Sequence, residues 1–225
     1  MMENKEAKLD LNKFNEEFKG LEVYKRVEKL YTMFDKDEIM LTSSFAATSA
    51  FLLKVFSDIN KEQTIYFIDT GYHFWETIIY KEYLTQLYQL KVVDIRAEAS
   101  RHQETLETEM WKKNPDQCCN INKVEPLDYI KKDFKVWVSG LMSWQSDYRS
   151  NLNFFEQREN IIKFYPLLDI DFIGRDAFIR DHHLPFHPLK SKGYSSIGCQ
   201  HCTVPSDDRS GRWNNSPKTE CGLHL

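Results

Sequence analysis

Five cysteines are the residues of this chain best suited to chemistry, and all lie in its second half. Cys118 and Cys119 are adjacent, Cys199 and Cys202 form a CxxC pair, and Cys221 stands alone in Glu220-Cys221-Gly222-Leu223-His224. Thiolates select soft metals, so two pairs suggest four ligands of a metal–sulfur site, with one thiol left to react. Adjacent cysteines reach one tetrahedral zinc ion only with strain, whereas a 4Fe–4S cube offers separate iron corners. A CxxC pair also suits zinc or thioredoxin-like redox use, but redox use wants a strand-to-helix turn and this pair follows the loop Gly193 to Gly198. The bland alternative is that two of the four are ordinary buried cysteines. Cys221 has Arg209 and Arg212 upstream and His224 three residues on. Cationic neighbours lower a thiol's pKa and favour the nucleophilic thiolate. Chain ends are mobile, so this cysteine is placed to close over a substrate and then open to a second protein.

The elements that position these residues follow from periodicity. Residues 1–37 read as a polar helical segment, with Leu21, Tyr24, Val27, Leu30 and Tyr31 at helical spacing. Strands are expected at Glu38–Ser44, Thr64–Asp69, Lys91–Ile95, Phe134–Ser139 and Ile161–Leu168, with helices over Ala46–Phe56 and Phe74–Leu90. Alternation of strands and helices predicts one α/β domain with a parallel sheet over 38–190, followed by a C-terminal segment, 191–225, poor in apolar runs. Ligands in such sheets sit at the C-terminal ends of the strands. Thr42-Ser43-Ser44-Phe45, Asp69-Thr70-Gly71 and Ser139-Gly140-Leu141 occupy those turns. Their hydroxyls suit a phosphate or sulfate, although Ser and Thr are also routine helix caps. His182, His183 and His187 read as solvent-facing or packing residues. The tryptophans and the apolar stripe of 74–90 read as core, and the charged N-terminus as a solvated helix face.

At 225 residues, 41% hydrophobic and 28% charged, the chain has the composition of a globular protein. A formal charge of −4 gives no reason to expect nucleic acid or an anionic membrane as partner, so any anionic ligand relies on local basic groups. No apolar run of transmembrane length occurs. The charged N-terminus has no apolar core of a secretory signal, and a cytoplasmic location is expected, where cysteine clusters bind metals or catalyse. Self-association is left open.

The motifs together resemble the adenylyl-sulfate (APS) and phosphoadenylyl-sulfate (PAPS) reductase family. The resemblance runs from about Ser43 to His224 and rests on the following segments: Phe67-Ile68-Asp69-Thr70-Gly71; Cys118-Cys119 with Lys123-Val124-Glu125-Pro126-Leu127; Leu184-Pro185-Phe186-His187-Pro188-Leu189; Gly193 to Cys199; Cys202-Thr203; Arg209-Ser210-Gly211-Arg212-Trp213; and Glu220 to His224. Cluster-free PAPS reductases lack the CC and CxxC pairs, so the resemblance is to the cluster-containing branch. It implies an adenine-nucleotide α-hydrolase-like sheet, a 4Fe–4S cluster on Cys118, Cys119, Cys199 and Cys202, and Cys221 as nucleophile with His224 beside it. It implies thioredoxin or glutaredoxin as reductant. It also implies Lys123, Arg209, Arg212 and His224 around the phosphosulfate, Ser43 and Ser44 at the nucleotide loop, Phe67 and Ile68 against adenine, and Gly140 and Arg149 as further substrate contacts. This chain departs from the pattern where many members carry two arginines after the glycine, having Leu141-Met142-Ser143-Trp144. The loop after Ser44, commonly acidic or glutamine-bearing, reads Phe45-Ala46-Ala47-Thr48-Ser49. Loss of two positive charges near the ribose weakens a hold on the 3′-phosphate of PAPS and favours APS. A zinc- or nucleotide-binding module without turnover is the reading from a different class. An ATP pyrophosphatase is disfavoured because Ser43-Ser44-Phe45-Ala46-Ala47-Thr48 lacks the glycines of a pyrophosphate loop.

Overall fold

The computed structural model describes residues 10–213, 216 and 218–224. Residues 1–9 of the expected helical segment lie outside that range. The rest of the segment forms α1 (Leu11–Lys19) and α2 (Val23–Met33). Asp10 caps α1 by accepting from Lys13 N, as a short carboxylate does at an open helix start. Phe18, Val23, Val27 and Leu30 turn inward from these helices and join the main core, so the segment is part of the domain's packing.

From there strands and helices alternate: β1 (Ile39–Thr42), α3 (Ser49–Ile59), β2 (Thr64–Ile68), α4 (Trp75–Tyr88), β3 (Lys91–Ile95), α5 (Ala99–Glu107) and α6 (Met110–Lys113). Next come α7 (Pro115–Cys119), α8 (Glu125–Lys131), β4 (Val136–Val138), α9 (Asp147–Ser150), β5 (Phe155–Arg158), β6 (Ile161–Phe164) and α10 (Phe172–Asp181). The sheet order is β3-β2-β1-β4-β6-β5. All pairings are parallel except that of β5 with β6, Phe155 facing Phe164. The sheet is therefore mixed. The antiparallel edge strand, Phe-Glu-Gln-Arg, has one apolar side chain to bury and carries no period-2 signal. Strand order reverses between β1 and β4, and in open α/β sheets such a reversal opens a crevice at the strands' C-terminal ends.

Two expectations about apolar residues need correction. Along α4, Leu84 is fully buried and Ile78 packs on the core, but Trp75, Ile79, Tyr83 and Leu87 are exposed. The helix is apolar over more of its circumference than the sheet can cover, so the stripe of 74–90 is core on one side only. Trp137 and Trp213 are buried, while Trp75 and Trp144 face solvent. Among the histidines, His187 is buried, with Nδ1 accepting from Leu189 N at 3.1 Å and Nε2 3.1 Å from Thr77 Oγ1. His182 stacks on Phe178 at 4.0 Å. No helix among the described residues is long and apolar enough to cross a membrane.

Between α7 and α8 the helix widens to π pairing over Asn120–Val124. Pro126 supplies a cause: it has no N–H for the Asn122 carbonyl, and its ring crowds that oxygen. Wide turns of this kind recur at functional sites, and this one follows Cys118-Cys119 and contains Lys123.

Candidate active site

The loops after β1, β2 and β4 meet over the strand ends and line a cavity of about 550 Å³. That volume lies within the range of small-molecule sites. Ser43, Ser44, Thr70, Ser139 and Gly140 come from these loops, Ile68 from the end of β2, and Lys123 from the π turn. The described residues of 191–224 do not form a separate lobe. They cross the strand ends as a strap, pinned by the bridge His73–Cys199, the 2.7 Å bond from Gln200 N to the Tyr72 carbonyl, and the bridge Thr203–Arg212. The strap brings Arg209, Arg212, Cys221 and His224 into the same cavity.

At the β1 turn Phe45 adopts φ 47°, the left-handed region that an aromatic residue occupies only under constraint. Its fully buried ring packs edge-on against Phe67 at 5.6 Å, and Ser43 Oγ accepts from Phe45 N at 3.2 Å. Phe67 does not line the cavity; it lies fully buried under the floor, against Phe45 and His73. Strand alternation explains this, because adjacent residues of a strand face opposite sides. Of the expected adenine contacts only Ile68 reaches the cavity.

The four paired cysteines line one small pocket with Tyr72, Trp111, Asn122, Lys123 and His201. Trp111 stacks on His201 at 4.3 Å, with Tyr72 edge-on to both, forming an aromatic wall. Donors are aimed at sulfur. Asn122 Nδ2 lies 3.7 Å from Cys118 Sγ, Lys123 Nζ 3.8 Å from Cys119 Sγ, and the Thr70 hydroxyl 3.4 Å from Cys199 Sγ. Asn122 is itself held by His102 Nδ1 at 2.7 Å and by the Cys118 carbonyl. Burial, and then the neighbouring thiols, push Cys118 up to about 12 and Cys202 up to about 11; burial also raises Cys119. Thiols crowded in this way ionise together only when a positive centre is shared among them, and outer donors of this type orient thiolate ligands. The donor set therefore fits a thiolate-bound metal group. No trio of His, Cys, Asp or Glu side chains among the described residues converges as a site for one metal ion.

At the other side of Lys123 the cavity is cationic. Burial alone would lower the Lys123 ammonium's pKa, but the charges of Cys199, Cys119 and Cys221 outweigh it and hold it above its ordinary value. Arg209 Nε, Arg212 Nε, Trp213 Nε1, Ser139 Oγ and His224 Nδ1 are buried and make no hydrogen bond among the described residues. Buried polar atoms are rarely left so, and all five belong to residues lining this cavity. Arg212 stands against Gly198, where a Cβ would come within 2.1 Å of its Nη2, and it donates to the Ile197 carbonyl at 3.2 Å.

His224 departs from its expected role as a cation beside the thiol. It is buried, its ring stacks on Trp137 at 4.9 Å, and its carbonyl accepts from Tyr148 Oη. Burial, reinforced by Arg149, Lys163 and Arg209, holds its pKa well below the ordinary histidine value. His224 is therefore neutral, and the positive charge near Cys221 comes from Lys123, Arg209 and Arg212. Arg149 lines the cavity as expected, but its guanidinium is turned to Glu220 and Gln145. Sequence reading passed over Glu220, Lys163, Trp137 and Asn122. Only Glu220 carried a signal, a carboxylate next to the proposed nucleophile.

Residues 38–205 match the phosphoadenosine phosphosulfate reductase domain family. The chain belongs to that family. An adenosine 5′-phosphosulfate reductase of Lysinibacillus sphaericus is 37% identical over 197 residues, 84% of each protein. The solved PAPS reductase of Candida auris superposes with a TM-score of 0.74 at 25% identity, covering 86% of this reductase and 95% of that chain. The ammonia-dependent NAD synthetase of Campylobacter jejuni has a TM-score of 0.53 at 13% identity over 83% of this chain and 80% of its own. That likeness shows the shared fold alone.

Proposed function

We propose that this reductase converts adenylyl sulfate to sulfite and AMP, using a dithiol protein such as thioredoxin or glutaredoxin, in assimilatory sulfate reduction. One observation carries the reading: Cys221 shares a nucleotide-sized cavity with Lys123, Arg209 and Arg212, whose surroundings hold buried polar atoms unpaired among the described residues. A thiolate approaches an anionic sulfate only where cations offset the repulsion. Cys221 attacks the sulfur of APS; an S–S bond forms, the S–O bond to phosphate breaks, and AMP leaves with the electron pair. Arg209, Arg212 and Lys123 bind the phosphosulfate, and neutral His224 offers Nδ1 as a hydrogen-bond partner. A thiolate of the reductant then attacks Cys221 Sγ, and sulfite leaves with the S–S electron pair. The second thiol of the reductant resolves the mixed disulfide, so the two electrons gained by sulfur come from the dithiol.

Cys118, Cys119, Cys199 and Cys202 would hold a 4Fe–4S cluster. Such a cluster would supply a local electrostatic field near Lys123. The five cysteines form no disulfide, which suits a reducing cytoplasm. APS is preferred to PAPS because Leu141 and Met142, in the loop where relatives carry arginines, are buried. Two further cations of the cavity wall, Arg175 and Lys190, both pair with Asp176.

The test is APS-dependent sulfite release with reduced thioredoxin by anaerobically purified wild type and Cys221→Ser, with iron and sulfide analysis of the same samples. Substantial turnover by the variant sinks the nucleophile assignment. Comparing kcat/KM for APS and PAPS decides the substrate, and a colourless, zinc-containing protein overturns the cluster.

A further inference from the structure

The carboxylate of the residue before the nucleophile accepts four side-chain hydrogen bonds. Glu220 has only 2% of its side chain exposed. Arg149 Nε donates to its Oε1 at 2.8 Å and Arg149 Nη2 to its Oε2 at 2.9 Å. Arg209 Nη2 donates to Oε2 at 3.1 Å, and Ser146 Oγ to Oε1 at 2.9 Å. Burial alone would raise the Glu220 carboxyl's pKa; these donors and charges outweigh it and hold it below the ordinary value. Arg209 also donates to the Thr219 carbonyl at 3.0 Å. The remaining nitrogen of the Arg149 fork, Nη1, donates to Gln145 Oε1, so each of the three guanidinium nitrogens makes a bond within the protein although Arg149 lines the cavity. On the far side of Cys221, Gly222 takes φ +87°, a conformation that turns the chain and that side chains rarely allow. Beyond it, Lys163 Nζ donates to the Leu223 carbonyl at 3.3 Å.

We propose that Glu220 is the positioning residue of the nucleophile: clasped by Arg149 and Arg209, it holds Cys221 in the cavity, and Arg149 acts on the strap rather than on substrate. The proposal rests on Cys221 being the nucleophile. Its chemistry is that of a bidentate, buried arginine–carboxylate pair, which fixes direction as well as distance. A thiol so held meets a bound sulfate at high effective concentration, and one on a loose chain end does not.

Glu220→Gln, Glu220→Asp and Arg149→Met are compared with wild type in the full-length protein. Tryptic cleavage after Lys218, followed by mass spectrometry of the released 219–225 peptide, reads docking without any substrate. Stopped reactions with saturating APS and no reductant read the rate of Cys221 S-sulfonation, and AMP binding reads the nucleotide site. Glu220→Gln and Arg149→Met are expected to speed cleavage and slow S-sulfonation by on the order of tenfold or more, the loss of one charge-assisted hydrogen bond. AMP affinity is expected to stay within about twofold, the spread for sites that share no partner, and Glu220→Asp, which keeps the charge, to recover part of both losses. Cleavage at the wild-type rate overturns the clasp, and faster cleavage with wild-type S-sulfonation overturns the positioning role. A parallel loss of AMP binding returns Arg149 to the substrate site and overturns the proposal. Absence of S-sulfonation in wild type instead refutes the nucleophile assignment, leaving the clasp to be judged by proteolysis.

Discussion

Gly198→Ala would move Arg212, a proposed phosphosulfate-binding cation, without substituting it. The added Cβ would lie 2.1 Å from Arg212 Nη2, 2.3 Å from Cζ and 2.8 Å from Nη1. Ordinary van der Waals contact begins near 3.4 Å, so the guanidinium must retreat by roughly 1.3 Å, the difference between 3.4 and 2.1 Å. Because the obstacle is the far end of a flexible side chain, the fold itself has little reason to change. The Gly198 backbone avoids the left-handed region, so alanine adds no backbone strain there. Retreat breaks the 3.2 Å bond to the Ile197 carbonyl and disturbs the stacking of Arg212 over Trp213 at 4.5 Å. Misplacing a catalytic group by about 1 Å costs on the order of 100-fold in rate, about 2.7 kcal/mol of transition-state stabilisation. Thermal unfolding should then shift by only a few degrees while kcat/KM for APS falls by about that factor. The decisive assay is a double-mutant cycle with Arg212→Ala. If the glycine acts through Arg212, the double variant is no worse than Arg212→Ala alone. A Gly198→Ala enzyme with wild-type kcat/KM, or a double variant whose losses multiply, refutes the reasoning.

Other consequences can be checked on the same protein. Arg26 is buried, pairs with Asp169 at 2.6 and 2.7 Å, and donates to the carbonyls of Phe18 and Pro166, so Arg26→Met should lower stability to urea by about 3 kcal/mol by orphaning those acceptors. Burial lowers His187 to about 4, below the unfolded value near 6.5. The unfolded chain thus binds the extra proton between those pH values, and this residue's contribution to stability, full above pH 6.5, is lost as pH falls to 4. The gap between wild type and His187→Asn in urea melts should shrink by up to about 1.4 kcal/mol per pH unit in that window; a constant gap counts against a neutral buried ring. Lys163→Met removes the donor to the Leu223 carbonyl and should speed tryptic release of 219–225 several-fold, and an unchanged rate would show that the strap's end does not depend on it.

Much of the framework was legible because its signals are local. The strand at Lys91–Ile95 matches the period-based expectation at both ends, and α3 and α4 fall within a few residues of theirs. Antiparallel β5 was missed because a polar four-residue edge strand has no periodicity to read. The helices from 99 to 131 were missed for a similar reason: they are short, interrupted by Asn114-Pro115 and by the π turn. At the site, motif spacing brought out the cysteines and arginines that share the cavity walls. The family resemblance set Phe67 against adenine, but its strand parity points it beneath the floor. Spacing misjudged His224, whose charge state depends on Trp137 and Tyr165 packed around it.

Residue type and spacing along the chain specify which atoms are available: two soft ligand pairs, a lone thiol, and arginines near it in sequence. Those properties survive in any conformation, since they are covalent. Protonation state, reach and orientation arise from segments brought together over long separations. Glu220 meets Arg149 and Ser146 across 71 and 74 residues, and Lys163 meets Leu223 across 60. Burial at those contacts raises or lowers the free energy of each charge, and burial is a property of the packed chain. The proposed nucleophile could thus be named from its motif, whereas the groups proposed to aim it became visible only when the strap was seen lying across the strand ends.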